Sequence, residues 1–113
     1  MNTSSLSAGE RLLIDRRRKG ESQRQAAKRL GVSLYRYRRW ERSEEQPPKL
    51  MPLGMLKLHE KCFLTRRRAD VPAHVVALEL GVSDEWLTQM EYGRQPCQKL
   101  AVHLGLLAAN AVC

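Results

Sequence analysis

The chain has little of what secreted, membrane-spanning or metal-holding proteins depend on. Only three of its 113 residues are cysteines, an odd number at wide spacing, which disfavours a disulfide framework. His59 and Cys62 could share a helix face, but no second close pair completes a tetrahedral site, so we expect no metal and no other cofactor. The apolar runs fall far short of the ~18 residues that a membrane span needs, and the first residues do not resemble a signal peptide. We therefore expect a soluble, cytoplasmic protein with no membrane partner.

Signatures of catalysis are also missing. The sequence has no glycine-rich phosphate loop, no Gly-x-Ser-x-Gly turn and no paired carboxylates in apolar surroundings, so we expect neither an enzyme nor a small-molecule substrate. Acidic residues are few, since 12 Asp and Glu stand against 20 Lys and Arg, giving a formal net charge of +8. This balance favours a polyanionic partner, although a protein that is merely basic would have the same composition.

What the chain does contain is an internal repeat. The Leu-Gly-Val-Ser sequence of residues 30–33 recurs at residues 80–83, and the three arginines of residues 16–18 recur at residues 66–68. One register aligns both blocks without a gap, which scattered chance matches seldom do. The sequence therefore predicts two copies of one supersecondary unit. The predicted units are residues 1–50 and residues 51–113.

The spacing of apolar and capping residues predicts that both units are helical, which makes the chain all-α with about eight or nine short helices. In the first unit Ser7, Ser22 and Ser33 can each cap a helix. Glu10 and Gln25 follow the first two serines by three residues, as in a capping box. The helices expected in the first unit cover residues 8–19, 22–31 and 33–42.

The second unit is expected to repeat this pattern with different boundaries. Pro52 starts or kinks a helix that runs on to Arg68, and Pro72 lies in the first turn of the next helix, where proline is tolerated. A third helix is expected over about residues 84–91. From Cys97 to the end of the chain we expect an apolar terminal helix.

Residues 23–43 resemble the helix-turn-helix of the Cro/phage-repressor (Xre) family. That family has Gln at the start of its second helix, Ala within it, Gly after it, and later an apolar residue followed by Glu. The matching residues here are Gln23, Ala27, Gly31, Trp40 and Glu41. The second unit matches with Ala77, Gly81, Met90 and Glu91, but it has Ala73 in place of Gln23. The resemblance implies tandem lambda-repressor-like DNA-binding domains in a repressor-like regulator of the phage or mobile-element type.

The third helix of the first unit, residues 33–42, is the predicted recognition helix. Tyr37 and Trp40 are three residues apart and can pack inward with Leu30, which leaves an arginine group on the outside. This arginine group consists of Arg36, Arg38, Arg39 and Arg42. Arginine can bond a guanine edge with two parallel donors, or a phosphate. The alternative is a basic face that is simply solvated.

The resemblance also assigns contacts to double-stranded DNA. The expected base-contacting residues are Leu34, Tyr35, Arg36, Arg38 and Arg39. The expected phosphate-contacting residues are Ser22, Gln23, Lys28, Ser33 and Arg42. Helix starts supply backbone amides and side chains that suit a phosphate. Tyr35 has a second interpretation, in which it only covers apolar surface.

The second unit is expected to behave differently. Residues 1–50 have 13 basic and 6 acidic side chains, whereas residues 51–113 have 7 and 6. Asp84, Glu85 and Trp86 stand where the first unit has Leu34, Tyr35 and an arginine. Carboxylates repel phosphates, and an exposed tryptophan favours a protein contact. The expected protein-interface residues are Trp86, Leu104 and Leu107.

Two alternative functions and the oligomeric state remain open from the sequence. A protein-interaction module, such as an antitoxin or adaptor, would use the second unit for docking, and RNA binding is a further option that the few exposed aromatics disfavour. The oligomeric state is open as well. Two units in one chain could cover two half-sites as a monomer, or the apolar terminal helix could pair two chains as a homodimer through Leu100, Leu104, Leu106 and Leu107.

Overall fold

The computed structural model describes residues 6–49 and 52–107, and within those ranges it contains seven α-helices and no strand. The all-α prediction is confirmed, whereas the expected count of eight or nine helices is not. The helices are α1 (Ala8–Lys19), α2 (Gln23–Leu30), α3 (Leu34–Glu41), α4 (Leu58–Arg68), α5 (Ala73–Leu80), α6 (Asp84–Glu91) and α7 (Gln98–His103). No helix in the described part of the chain is both long and apolar enough to cross a bilayer.

The chain divides into two compact units, Met1–Met55 and Leu56–Cys113. The first unit holds α1 to α3 and the second holds α4 to α7. The first three helices of each unit occupy positions offset by 50 residues, as the comparison of α2 at Gln23 with α5 at Ala73 shows. The internal repeat in the sequence therefore corresponds to a repeat of helices.

Capping residues set the helix boundaries of the first unit as the sequence predicts. The Ser7 amide donates to Glu10 Oε1 at 2.9 Å, and the Glu10 amide donates to Ser7 Oγ at 3.1 Å, which completes a capping box. Ser22 and Gln25 form the same arrangement at the start of α2. Gly31 ends α2 at φ 72°, in the left-handed region that side chains with a Cβ rarely adopt.

A small apolar core joins the three helices of the first unit. Tyr37 and Trp40 of α3 are buried with Leu12 of α1, and Leu30 packs against them, as predicted. The two remaining buried members are Ala26 and Ala27 of α2. Alanines at this point let the two helices approach closely, so that the inward face of α3 is fixed and its other face is presented to solvent.

Gly9 shows how closely α1 approaches the end of α3. A Cβ at this position would lie 2.5 Å from the Trp40 carbonyl oxygen and 2.6 Å from that of Glu41, which is too close for any side chain. His59 occupies the corresponding position of the second unit, and its Nδ1 lies 3.1 Å from the Glu91 carbonyl oxygen. In each unit the first helix therefore packs against the last turn of the third helix. The residue at this contact is a glycine in the first unit and a histidine in the second.

The start of the second unit differs from the prediction. The helix expected from Pro52 begins only at Leu58, since Gly54 adopts a left-handed conformation at φ 68° and Lys57 is extended at ψ 158°. Pro72 is likewise the N-cap of α5, extended at ψ 146°, and does not lie in its first turn. Proline and glycine thus place the starts of α4 and α5 later in the sequence than apolar spacing alone suggested.

The apolar terminal helix is also shorter than expected. The helix α7 ends at His103, and Gly105 follows at φ 78°, a conformation that interrupts the helical run. Residues 108–113 of the predicted helix lie outside the described residues. Leu100 is fully buried in the core of the second unit together with Val76, Leu80, Leu87 and Met90. Leu100 is therefore part of the core of its own unit.

Candidate nucleic-acid interface

In the first unit, α3, the predicted recognition helix, is held in place by an N-cap and by core contacts. The Arg36 amide donates to Ser33 Oγ at 3.1 Å, which caps the helix at the predicted serine. Tyr37 and Trp40 hold its inner face in the core. Its exposed face has Tyr35, which is 70% exposed, and three arginines, with a fourth arginine at the C-cap. Leu34 is only half-buried at the start of the helix.

A buried ion pair fixes the last turn of α3 to α1. Arg16 Nε donates to Glu41 Oε2 at 2.7 Å, and Arg16 Nη1 donates to the Glu21 carbonyl oxygen at 3.2 Å. Burial opposes the charge on Arg16, but the Glu41 carboxylate outweighs that effect and raises the pKa of the guanidinium. Burial and the same carboxylate raise the pKa of the Tyr37 phenol. The sequence aligned Glu41 with Glu91 but did not predict this pair.

Gln23 connects this buried pair to the exposed face. Its amide nitrogen donates to Glu41 Oε1 at 3.0 Å, and its amide oxygen accepts a hydrogen bond from Arg38 Nε at 3.2 Å. Gln23 was expected to contact a phosphate, and the structure places it half-buried beside Arg38. The glutamine therefore orients one member of the arginine group, whose remaining donors face outward.

The other three members of the arginine group meet two glutamates that sequence analysis did not assign. Arg36 Nε lies 2.8 Å from Glu45 Oε2, and Arg39 Nη1 lies 3.8 Å from Glu45 Oε1. Arg42 Nη2 lies 3.3 Å from Glu44 Oε2. The hydrogen bond from Arg36 has the largest effect on the Glu45 carboxyl and lowers its pKa. The hydrogen bond from the Trp40 indole has the next largest effect, in the same direction. The signal in the sequence was an acidic pair directly after an arginine-rich helix.

The remaining expected phosphate contacts lie at helix starts and on α2. The hydroxyls of Ser22 and Ser33 accept capping hydrogen bonds, and Lys28 is exposed on α2. Within the described residues, no hydrogen bond or ion pair joins Ser22 or Lys28 to the arginine group. Arg39 also stacks over the Tyr35 ring, with 5.8 Å between its guanidinium carbon and the ring centroid. Contacts thus join Gln23 to Arg38, Ser33 to Arg36 and Tyr35 to Arg39, whereas Ser22 and Lys28 stand apart from the arginine group.

The second unit retains the buried contacts that hold its third helix, but it has different residues on the exposed face of that helix. Arg66 donates to Glu91 at 2.6 and 2.9 Å, and Arg66 Nη1 donates to the Val71 carbonyl oxygen at 2.9 Å, which repeats the Arg16 arrangement. The exposed group does not recur. At the positions of Arg36, Arg39, Trp40, Arg42, Glu44 and Glu45 the second unit has Trp86, Gln89, Met90, Tyr92, Arg94 and Gln95. The two units therefore share a scaffold and differ in what it presents.

The predicted protein-interface residues have different settings. Trp86 is 45% exposed on α6, next to the exposed Asp84 and Glu85 of the first turn. Leu104 and Leu107 are half-buried and pack against the core of their own unit. Trp86 is thus the member of the predicted set whose side chain is presented to solvent.

Two cysteines of the second unit, Cys62 and Cys97, lie in its interior. Cys62 and Cys97 are free thiols and both are buried. Burial, with Cys97 next in importance, raises the pKa of the Cys62 thiol to about 12, so it stays protonated at neutral pH. Among the described residues, no three His, Cys, Asp or Glu side chains are grouped so that they could hold a metal ion.

No family model, curated protein or solved structure matches this chain. The two units can, however, be compared with each other. Features that both units share point to folding, and features confined to one unit point to what that unit does.

Proposed function

We propose that the chain is a sequence-specific regulator of transcription that binds double-stranded DNA through its first unit. In this proposal the two units are tandem helix-turn-helix domains of the Cro/phage-repressor (Xre) type, and α3 lies in the major groove. The protein acts in the cytoplasm as a repressor-like factor. The supporting observation is the arginine group on α3, which the matching scaffold of the second unit lacks.

The geometry of the first unit suits this role. Tyr37 and Trp40 fix the inner face of α3, so the exposed side chains are held on a rigid element. Arg38 is oriented by Gln23, and Arg36 by Glu45. Arginines that are oriented before binding lose less conformational entropy when they bond a guanine edge or a phosphate.

A salt titration tests the proposal. We expect the full chain to bind a duplex enriched from a random pool, with affinity that falls steeply as salt rises, at a log–log slope of about −0.9 per phosphate contact. A palindromic enriched site would indicate a homodimer, and a single site or a direct repeat would indicate a monomer using both units. Binding that is weak and equal for all duplexes would contradict the proposal.

The arginines of α3 give a sharper expectation. If Arg36 or Arg39 forks onto a guanine, its replacement by alanine should weaken cognate binding by about 1–3 kcal/mol and relax the preference at one base pair. The measurement is the affinity for the enriched duplex and for its single-base variants. Arg29→Ala is a control, because Arg29 pairs with Asp15 and Glu21. Equal losses on cognate and random DNA would make these arginines phosphate contacts.

A second candidate function, protein docking by the second unit, is favoured by the exposure of Trp86. Between residues 71 and 95 one basic residue, Arg94, stands against four acidic ones, which leaves few cations for phosphate contacts. Tryptophan is enriched at the energetic centres of protein interfaces. This unit would then serve as an adaptor or antitoxin-like docking module beside the DNA-binding one.

Two variants separate docking from a second DNA contact. Asp84→Ala combined with Glu85→Ala is expected to leave DNA affinity unchanged or slightly higher, because carboxylates repel phosphates. Trp86→Ala is expected to change the elution volume in size-exclusion chromatography, whereas Tyr35→Ala, which removes an exposed aromatic of the first unit, should not. A sharp loss of sequence-specific binding in the Asp84/Glu85 double variant, with the fold intact, would show that the second unit contacts bases.

A further inference from the structure

Glu45 lies between the core of the first unit and its exposed arginines. The Trp40 ring is buried, and its Nε1 donates to Glu45 Oε2 at 2.7 Å. Arg36 Nε donates to the same oxygen at 2.8 Å. The Arg36 guanidinium carbon also lies 5.6 Å from the centroid of the Trp40 ring. A core side chain thus fixes the carboxylate, and the carboxylate and the ring together fix the guanidinium.

This arrangement determines which donors Arg36 can offer. Because its Nε–H is used by Glu45, the two terminal nitrogens remain for a further acceptor. Two parallel donors are what a guanine edge requires for a bidentate contact. Holding the guanidinium in place also removes part of the entropy cost of ordering a long side chain on binding.

Positioning of Arg36 by Glu45 favours binding to DNA, whereas the negative charge of Glu45 weakens it. Its carboxylate lies 2.8 Å from Arg36 and 3.8 Å from Arg39, so it offsets part of the attraction of both arginines for phosphates. That loss applies to every duplex, whereas the orientation of Arg36 helps only where a guanine is correctly placed. A repulsive element that weakens all targets alike, combined with an oriented donor, increases discrimination.

The second unit serves as an internal comparison. It keeps the buried Arg66–Glu91 pair, which repeats Arg16–Glu41, but has Gln95 at the position of Glu45 and Met90 at that of Trp40. It also has Trp86 in place of Arg36, so the carboxylate, its anchor and its arginine are all missing together. The second unit therefore forms its three corresponding helices and its own core without an equivalent of these three residues.

From these contacts we infer that Glu45 is a specificity-determining residue, which positions Arg36 for base contact and reduces binding to random DNA. The inference rests on the proposed DNA-binding function and deepens it. Trp40 is the residue through which the position of Glu45 is set. Glu44, the preceding residue, lies 3.3 Å from Arg42 Nη2 and 4.0 Å from Arg39 Nε. Within the described residues its carboxylate has no hydrogen bond or ion pair with Arg36 or Trp40.

The matched variants Glu45→Gln and Glu44→Gln test this in the full chain. Both remove one negative charge from the same segment, and the probes are the enriched duplex and a random duplex of equal length. For Glu45→Gln we expect tighter binding to random DNA without a gain on the enriched duplex, so that the affinity ratio falls about tenfold. For Glu44→Gln we expect both affinities to rise alike. Trp40→Phe, which keeps a ring but removes the donor, should lower the ratio as Glu45→Gln does.

A measurement without DNA separates this inference from the proposed function. In nitrogen-15 NMR spectra we expect Glu45→Gln to shift the Arg36 Nε–H and Trp40 Nε1–H resonances and to speed the exchange of the former, and Glu44→Gln to leave both in place. Equal ratios for the two variants, or unchanged resonances in Glu45→Gln, would overturn the positioning role. A wild-type chain without duplex preference, but with the expected resonance shifts, would instead contradict the proposed function and the specificity role, while leaving the positioning of Arg36 intact.

Discussion

Replacing Trp40 with alanine is expected to lower the unfolding free energy of the first unit by about 3–5 kcal/mol. The indole is only 4% exposed and packs against Leu12, Ala26, Ala27 and Tyr37, so its removal leaves a cavity in a core with few other members. A domain of this size has little reserve, since small units bury a small fraction of their surface. We therefore expect Trp40→Ala to unfold the first unit at room temperature.

Urea denaturation followed by circular dichroism measures this loss. Trp40→Phe is the graded control, since it fills most of the cavity and should cost much less. Met90→Ala is the matched change in the second unit, where Met90 occupies the corresponding core position, and it is expected to cost about 2–5 kcal/mol. A Trp40→Ala chain that stays fully folded and selectively loses DNA binding would show that the indole acts at the interface instead of in the core.

The parts of the fold that the sequence predicted are those with local causes. Ser7 with Glu10 and Ser22 with Gln25 form capping boxes within one turn of helix, so their neighbours along the chain suffice to identify them. The inward face of α3 follows from the spacing of Tyr37 and Trp40, because residues three apart lie on one side of a helix.

The errors in the fold arose where a backbone conformation interrupts apolar spacing. The helix expected from Pro52 fails because Gly54 is left-handed, and the terminal helix stops near Gly105 for the same reason. Both glycines lie within runs of apolar residues that favour a helix by composition. A glycine permits a left-handed turn but does not require one, so its conformation is decided by packing that the sequence does not display.

The contacts of the candidate interface also divide into those that local spacing predicts and those that depend on packing. The exposure of Tyr35 and of the arginines on α3 follows from helical spacing, and the structure shows both. The partners of those arginines were missed, because the path of residues 43–46 after the helix decides which carboxylate reaches which guanidinium. Gln23 was assigned to a phosphate on resemblance, while its bonds to Glu41 and Arg38 depend on how α2 packs against α3.

The internal repeat could have narrowed the search for the buried ion pair. Both members recur at the same offset, Arg16 with Arg66 and Glu41 with Glu91, although a long charged side chain on the surface would have no reason to keep its partner. Charged residues are seldom fully buried unless paired. Recurrence alone does not single out this pair, because Arg17 and Arg18 also recur, but it reduces the possible partners of Glu41 to a few residues.

Removal of one member of that pair is expected to have an effect as large as that of Trp40→Ala. Glu41 is 4% exposed and Arg16 Nε lies 2.7 Å from its carboxylate, so Glu41→Ala leaves a half-buried guanidinium without its counter-charge. Breaking a buried pair in this way costs about 3–5 kcal/mol. Glu91→Ala should cost the second unit a similar amount, since Arg66 and Glu91 are equally buried and their two hydrogen bonds, at 2.6 and 2.9 Å, are at least as short.

The variants Glu41→Ala and Glu91→Ala are expected to differ in their effect on DNA binding. Glu41 also accepts a hydrogen bond from Gln23, which in turn orients Arg38, whereas the second unit has Ala73 and Thr88 at those positions. Under conditions where both chains remain folded, Glu41→Ala should reduce the preference for the enriched duplex, and Glu91→Ala should not. The measurements are urea denaturation for stability and competition binding for preference.

A compensating double variant separates the contribution of charge from that of packing. Arg16→Met combined with Glu41→Leu removes both charges and keeps similar volumes, so most of the lost stability should return, because an apolar replacement of a whole buried pair is often neutral. The preference for the enriched duplex should stay reduced, since leucine cannot accept the hydrogen bond from Gln23. Recovery of both stability and preference would show that Glu41 acts on the fold alone and that Gln23 orients Arg38 without it.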